Sequence, residues 1–489
     1  MELDDQRKSV IKWALISRSA LIVLQAISNY LIADHDAEVF VRPKPTETQT
    51  FLDGVIDFVF GGLVRWDAQY FTHIAAYGYT FENTLAFFPL YPLVARASAS
   101  LVSPVVTFVS LDSAITCTCV VLNLVLFVQS ALLLYSITER LTNDGFAQRT
   151  VLLFCFNPAS IFFSAPYSEC LFFYLTLKSI QCCANLYEER VTRGKRERFK
   201  TILPCIVYVS MSTMTRSNGL LNVCFFVYFY VQVSLYKLKF WNSLDNVRLS
   251  YKVTFENLSE TMQLTGRSVT VLVFCIVLML VPFAALQLYD YQRFCTDFEV
   301  DVPQFLVDFA NSNDLVLPGR FSQHNQSWCY DKLPLAYAYV QRHYWNVGFL
   351  KYYQYKQIPN FLLAVPVVSI VSNRTLRLTR KFIVNFKKLV VNHHTVVLEN
   401  EKLVRDHLWE NVRFVCVVHV TVLTMFCVLC VHVQVTTRMI YSATPVVYWI
   451  SAECFTFGKD GVERKLTVWY YASYYVVGTV MFCNFLPWT

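Results

Sequence analysis

Residues 65–92, RWDAQYFTHIAAYGYTFENTLAFFPLYP, lie between two apolar segments and combine acidic side chains, a histidine and eight Phe or Tyr side chains. Aromatic faces can stack on sugar rings, and a carboxylate such as that of Asp67 can accept a proton from a hydroxyl group. The same pattern fits an amphipathic connector that lies on a membrane surface. The stretch alone leaves both a binding loop and a surface connector open.

The composition is that of a membrane protein. Of the 489 residues, 55% are hydrophobic and 16% are charged, whereas soluble domains carry about 25% charged residues. The net charge of +7 is modest and the basic residues are clustered, which favours a positive-inside membrane topology over nucleic-acid binding. Most of the 16 cysteines lie in apolar runs, but Cys295 and Cys329 fall in one polar loop and could pair in an oxidising compartment.

Apolar runs long enough to cross a bilayer recur along the chain. We expect one all-α membrane domain over residues 1–489 with about eleven transmembrane helices, near 11–33, 112–137, 149–165, 167–187, 201–216, 219–237, 268–289, 358–372, 413–432, 445–458 and 467–486. This divides the chain into a first span (1–33), a first loop (34–111), central spans (112–289), a long loop (290–357) and C-terminal spans (358–489).

Charge predicts how these helices are oriented. Residues 188–200 and 373–388 each contain six Lys or Arg, which is typical of cytoplasmic segments. Residues 34–100 contain eight acids against four bases, and residues 290–356 also have more acids than bases. With a cytoplasmic N-terminus, the first loop and the long loop both lie on the non-cytoplasmic side.

Within the first loop, two short amphipathic helices are predicted. Apolar residues recur at helical spacing from Phe51 to Leu63 and again from Trp66 to Tyr77. Asp67 falls near the junction of the two helices, which we expect to lie at the membrane interface.

Five polar clusters fall at the non-cytoplasmic ends of the predicted helices. They lie around Asp67 and in residues 157–169, 216–219, 329–360 and 434–438. Polar groups at the edge of a membrane bundle are costly unless paired, so their convergence favours a shared cavity over five unrelated solvated loops. An anionic lipid-linked substrate would need cations such as Arg216, Arg438 or His73 near its phosphate.

The same segments resemble the PIG-V mannosyltransferase family over nearly the whole chain. The resemblance is carried by Trp66-Asp67-Ala68, Ala86-Phe-Phe-Pro89, residues 157–169, Arg216-Ser-Asn-Gly219, residues 337–366 and Leu486-Pro-Trp-Thr489. It implies a multi-pass endoplasmic-reticulum enzyme of the GT-C class, with the active site on the luminal face and the amphipathic helices in the first luminal loop. Such an enzyme would transfer the second mannose, in α1,6 linkage, from dolichyl phosphate mannose to a GPI-anchor precursor.

The resemblance also implies roles for individual residues. Asp67 matches the base of an inverting transfer, with Glu82 and Glu169 as second choices for the catalytic carboxylate. The candidate substrate-binding residues are Trp66, His73, Tyr167, Arg216, Asn218, Gln341, Trp345, Asn346, Lys356, Gln357, Gln434 and Arg438. We expect no metal and no cofactor besides the donor substrate.

The expected partners follow from the same resemblance. They are dolichyl phosphate mannose, a mannosylated glucosaminyl-(acyl)phosphatidylinositol acceptor, the lipid bilayer and a small membrane accessory subunit, without nucleic acid. Two other classes stay open. A polytopic transporter would show broken helices near mid-membrane and repeat symmetry, and a multi-pass acyltransferase would need a buried histidine such as His419, which is more typical of a packed helix residue.

Overall fold

The computed structural model describes residues 2–37, 39–45, 50–102, 108–191, 199–237, 255–297, 300–324, 326–391, 401–457, 461–486 and 488. All regular structure in these ranges is helical, and no strand forms in them. Five of the described helical segments are long and apolar enough to cross a membrane: Asp5–Leu31, Leu111–Leu141, Thr265–Phe294, Tyr355–Arg380 and Leu408–Cys430. The all-helical membrane fold is thereby confirmed, whereas the count of eleven spans and the division into segments stay predictions.

The first part of the described chain forms nine α-helices. They are α1 (Glu2–Leu31), α2 (Phe51–Phe60), α3 (Asp67–Tyr77), α4 (Leu90–Val102), α5 (Leu111–Leu141), α6 (Asp144–Cys155), α7 (Glu169–Val191), α8 (Phe199–Thr215) and α9 (Val223–Lys237).

The remaining described residues form nine more. They are α10 (Phe255–Phe294), α11 (Gln304–Ser312), α12 (Phe321–His324), α13 (Ala336–Trp345), α14 (Ile358–Val391), α15 (Glu401–Cys430), α16 (Thr436–Ala443), α17 (Val446–Phe457) and α18 (Val462–Cys483). Short 3₁₀ helices at Gly61–Leu63, Glu82–Ala86, Ser160–Phe163, Ser217–Asn222, Ser327–Tyr330, Tyr355–Gln357 and Val433–Val435 lie between them.

The two predicted helices of the first loop are α2 and α3, but they have different environments. Helix α2 begins at a capping box, in which Thr50 and Asp53 each bind the other's backbone N–H, and its Phe51 and Phe58 side chains are exposed. An exposed apolar face is typical of a helix that lies on a membrane surface. Helix α3 is buried along most of its length and packs against α4 and α5. It is therefore an inner element of the bundle.

Helix α6 is too short to cross a bilayer. Its 12 residues extend for about 18 Å, whereas a hydrocarbon core is about 30 Å thick. The chain then passes through a buried 3₁₀ helix, Ser160–Phe163, before α7 begins at Glu169. Irregular backbone of this kind is stable inside a membrane bundle only when other protein groups satisfy its carbonyl oxygens.

Arg18, near the middle of α1 and only 1% exposed, supplies those partners. Its Nη1 donates to the Ser160 carbonyl at 2.8 Å and to Ser164 Oγ at 3.0 Å. Its Nη2 donates to the Cys155 carbonyl at 2.9 Å and to Ser160 Oγ at 3.0 Å. The guanidinium also lies 4.0 Å from the centroid of the Phe127 ring. Arg18 thus fixes the turn that leads into Tyr167 and Glu169.

The long loop is joined covalently to α10. Cys295, which follows α10, forms a disulfide with Cys329 in the 3₁₀ helix Ser327–Tyr330, with the two Cα atoms 5.5 Å apart. The sequence left the pairing of these two cysteines open, and the structure forms it.

Candidate active site

Asp67 is the first residue of α3, and its side chain is 30% exposed. Its backbone N–H donates to the Tyr167 hydroxyl at 2.9 Å. The preceding residue, Trp66, has φ 55° and ψ −126°, a backbone conformation that residues other than glycine rarely adopt. The position of Asp67 at the N-terminus of α3 places its carboxyl group at the positive end of the helix dipole.

Residues 483–485 support the strained backbone at Trp66. The Phe485 ring lies 5.8 Å from the Trp66 ring, and the Arg65 guanidinium is 4.8 Å from the Phe485 centroid. Arg65 Nε also donates to the Cys483 carbonyl at 3.2 Å. Strain of this kind persists where the surrounding packing determines the conformation, and it is often found at functional sites.

Arg438 on α16 connects two of the predicted catalytic carboxylates. Its Nη1 donates to Asp67 Oδ2 at 2.6 Å, and its Nε lies 3.9 Å from Glu169 Oε1. The guanidinium is 5.5 Å from the Phe162 centroid and 5.7 Å from that of Tyr167. Burial alone would lower the pKa of Arg438, but Asp67 and Glu169 outweigh burial and raise it. Arg438 is therefore a permanent cation.

Glu169 begins α7 and forms the second ion pair of the site. Its side chain is 1% exposed and pairs with Arg216 as well as with Arg438. Arg216 Nη1 also lies 3.4 Å from Ser168 Oγ. Asn218, two residues further along, is buried, and its side-chain oxygen and nitrogen have no hydrogen-bond partner among the described residues. Two carboxylates and two guanidinium groups thus meet in one centre, within which Asp67 is more exposed than Glu169.

Aromatic rings enclose the Asp67 side of this centre. Tyr70, one helical turn after Asp67, is stacked between Phe40 at 4.4 Å and Phe87 at 4.5 Å. Trp345, a predicted substrate-binding residue, approaches both Tyr70 and Phe87 at 6.0 Å. Burial, together with the negative charge of Asp67, raises the pKa of Tyr70, so its phenol is neutral.

His73 lies on a buried side of α3, and its ring contacts are with residues other than Arg216 and Arg438. Its ring stacks on Phe81 at 4.9 Å, and its Nε2 is 2.7 Å from Thr80 Oγ1. Burial, and secondarily the nearby charge of Arg42, lowers the pKa of His73 to about 3. The imidazole is therefore neutral at physiological pH. A role for His73 in phosphate binding stays a prediction, but it would require a hydrogen bond and not a positive charge.

Two of the other predicted binding residues, Gln357 and Gln434, belong to a second polar group around Tyr352. The Tyr352 hydroxyl donates to Gln434 Oε1 at 3.0 Å and accepts from Asn360 Nδ2 at 2.8 Å. Asn360 also donates to Gln357 Oε1 at 2.7 Å. Gln434 lies two residues before α16, so this group adjoins the helix that carries Arg438.

Three further predicted residues lie on the long loop. Lys356 and Asn346 are exposed, and Asn346 ends α13 with φ 51° in the left-handed region. Gln341 is half-buried and accepts, through its backbone carbonyl, from the Asn346 and Val347 N–H groups. Their roles in binding stay predictions.

Sequence reasoning missed three residues that support the site. Arg18 was visible only as a charge interrupting an apolar run, and nothing local in the sequence identified the turn that it holds. Trp328 and Tyr344 both donate to Glu82, the third predicted catalytic carboxylate. In the described residues, no group of three or more His, Cys, Asp or Glu side chains is arranged to hold a metal ion. Metal-independent chemistry stays a prediction.

The fold and the site define a class of protein: a multi-pass, all-helical membrane protein with a carboxylate–guanidinium centre. The family model described as Mannosyltransferase (PIG-V) matches residues 7–489. The chain therefore belongs to the PIG-V mannosyltransferase family.

Relatives of similar length extend this result. The chain is 36% identical to the GPI mannosyltransferase 2 of Drosophila melanogaster, over 99% of this chain and 100% of that one. It is 32% identical to the GPI alpha-1,6-mannosyltransferase 2 of Homo sapiens, over 99% of each chain. Among solved structures, it is similar to the Archaeoglobus fulgidus oligosaccharyltransferase with a TM-score of 0.36 and 9% identity, over 95% of this chain and 52% of that one.

Proposed function

We propose that the protein is a GT-C mannosyltransferase of the endoplasmic-reticulum membrane. It transfers the second mannose of the GPI core, in α1,6 linkage, from dolichyl phosphate mannose to a mannosylated glucosaminyl-(acyl)phosphatidylinositol. The observation that carries the proposal is the centre in which Asp67 and Glu169 meet Arg216 and Arg438. Membership of the PIG-V family and the names of the Drosophila and human relatives support it.

In the proposed reaction, the acceptor hydroxyl attacks the anomeric carbon of the donor mannose from the face opposite the phosphate. The bond between that carbon and the phosphate oxygen breaks, and dolichyl phosphate leaves with the electron pair. The hydroxyl proton passes to the Asp67 carboxylate. Because attack and departure take place on opposite faces, the configuration at the anomeric carbon is inverted. The reaction uses no cofactor besides the donor substrate.

The ion pairs suggest how the two carboxylates divide the work. Glu169 is 1% exposed and contacts both guanidinium groups, so it holds Arg216 and Arg438 in place. Asp67 is 30% exposed and, of these two arginines, forms an ion pair with Arg438 and not with Arg216. Arginine has five N–H donors and binds phosphate bidentately. A donor phosphate that engages Arg438 would weaken its hold on Asp67 and make that carboxylate a better base.

The site lies on the luminal side and the N-terminus on the cytoplasmic side in this proposal. The basic segments 188–200 and 373–388 and the acidic first loop support that orientation. A small membrane accessory subunit is part of the proposal without an assigned contact. The transporter alternative is not supported, since the relatives carry transferase names. His419, which an acyltransferase would need as a base, is buried and stacks on Phe225 at 4.8 Å.

The test replaces Asp67 with asparagine in microsomes supplied with dolichyl phosphate mannose and a one-mannose acceptor. Removal of a general base lowers the rate by about 10²–10⁴-fold, so we expect a loss in that range with protein abundance unchanged. Asp57→Asn changes an exposed acid in the same loop and is the matched control. Cells that lack the protein should accumulate a one-mannose GPI precursor. Full activity of Asp67→Asn would exclude Asp67 as the base, and a different accumulated precursor would exclude the proposed step.

A further inference from the structure

Glu82 joins the first loop to the long loop. It begins the 3₁₀ helix Glu82–Ala86, and its side chain is almost completely buried. Trp328 Nε1 donates to Glu82 Oε1 at 2.9 Å, and the Tyr344 hydroxyl donates to Glu82 Oε2 at 2.9 Å. The Glu82 backbone N–H donates to the Val316 carbonyl at 3.1 Å. Both carboxylate oxygens are therefore already bound to donors from a segment about 250 residues away in the sequence.

Each donor is itself held in place. Trp328 is buried and precedes Cys329, whose disulfide to Cys295 anchors the same turn to the end of α10. Burial, and secondarily Glu82, raises the pKa of Tyr344, so its phenol stays protonated and donates. Hydrogen bonds to a charged acceptor are roughly twice as strong as neutral ones. This arrangement is typical of a structural contact between two segments.

Tyr344 belongs to α13, and α13 runs between the two halves of the candidate active site. Near its N-terminal end, the Tyr337 hydroxyl lies 2.7 Å from the hydroxyl of Ser217, the residue after Arg216. At its C-terminal end, Trp345 packs against Tyr70, one turn after Asp67. The ten residues of α13 extend for about 15 Å. One end of α13 therefore contacts the Arg216 segment, and the other contacts the Asp67 segment.

We infer that Glu82 is a positioning residue: it latches the long loop onto the first loop and so holds α13 across the centre formed by Asp67, Arg438, Glu169 and Arg216. The inference rests on the proposed function, because it assigns a role in that reaction. It differs from the sequence-based prediction for Glu82, since a latch transfers no proton. Through Trp345, the latched helix forms a wall beside Asp67 where the acceptor sugar would lie.

The test separates a latch from a catalytic acid. Trp328→Phe and Tyr344→Phe each remove one donor and leave Glu82 in place. We expect each variant to raise the KM for a one-mannose acceptor about 3- to 10-fold, because hydrogen bonds to charged groups are the stronger ones. The KM of the double variant should match that of Glu82→Gln within about threefold. The pH profile of kcat should not change. Tyr353→Phe, which removes a long-loop hydroxyl bound to the Val428 carbonyl, is the matched control.

A second measurement does not depend on catalysis. Arg342 is exposed on α13, so trypsin cleavage there in the detergent-solubilised full-length protein reports release of the helix. We expect cleavage about tenfold faster in Glu82→Gln and in the double variant than in Tyr353→Phe, which corresponds to opening of the latch.

The outcomes are distinct. One outcome would overturn the latch in favour of a catalytic carboxylate. In it, Glu82→Gln lowers turnover by about two orders of magnitude or more, while the Trp328→Phe/Tyr344→Phe double variant keeps normal kinetics and normal proteolysis. Unchanged proteolysis in all latch variants would also overturn it. If the wild-type protein transfers no mannose, the proposed function fails, while faster cleavage of the variants would still support the latch.

Discussion

Replacing Arg18 with methionine removes the cation that holds the turn between α6 and α7. Methionine fills a similar volume but donates no hydrogen bond, so the Cys155 and Ser160 carbonyls lose the donors they have at 2.9 and 2.8 Å. A buried acceptor left without a partner costs about 1–3 kcal/mol, or about 2–6 kcal/mol for two. Removal of the buried guanidinium recovers part of its desolvation cost. We expect a net destabilisation of about 3 kcal/mol.

The assay compares heat stability and activity in detergent. With an unfolding entropy of about 2.1 cal/mol/K per residue, 3 kcal/mol lowers the midpoint of a chain of 489 residues by about 3 °C. Activity should fall more than this shift implies, because the turn leads directly into Tyr167 and Glu169. Arg18→Lys has a smaller donor group, so its midpoint and its activity should lie between those of the wild-type protein and those of Arg18→Met.

Lys12→Met is the matched control, since Lys12 is an exposed cation on the same helix. If Arg18→Met retained both the midpoint and the activity of Lys12→Met, the turn would not depend on Arg18 and the reasoning would be refuted.

Two further predictions concern the long loop and the first loop. Reduction of the Cys295–Cys329 disulfide, which closes a separation of 34 residues, should destabilise the protein by about 2–4 kcal/mol; a heat-inactivation midpoint unchanged by dithiothreitol would contradict this. His73 has a native pKa of about 3 against about 6.5 when unfolded, so the unfolded chain binds the extra proton between these values and stability falls as the pH falls through that window. From pH 7 to pH 5 the loss of stability is about 2 kcal/mol. The His73→Gln variant should lose measurably less stability over this range in a thermal scan, and an equal loss would refute the low pKa of His73.

The sequence predicted the features that depend on local pattern. Every apolar run expected to be a span contains helical structure, and α2 and α3 meet near Asp67 as their periodicity indicates. The shared polar loop of Cys295 and Cys329 raised their pairing without deciding it, and the structure forms the bond. Helical periodicity and polarity are properties of neighbouring residues, so one sequence is sufficient to reveal them.

Features that depend on distant packing were out of reach. His73 and Asp67 lie on the same short helix, yet the His73 ring is buried against Phe81, whereas the Asp67 side chain is 30% exposed. The donors to Glu82 lie 246 and 262 residues away, and no local pattern identifies such partners. The short α6 could not be distinguished from a full span, because the apolar run continues through the turn after it.

The contact between Arg65 and the Cys483 carbonyl has a consequence for biosynthesis. These residues are separated by 418 positions, and a ribosome adds about 5–20 residues per second. The loop that carries Asp67 is therefore inserted about 20–80 s before its support at residues 483–485 exists. During that interval nothing from the Phe485 segment can hold Trp66 in its strained conformation. The contacts that complete the site, from Arg438 to Asp67 and from Phe485 to Trp66, therefore become available only late in translation.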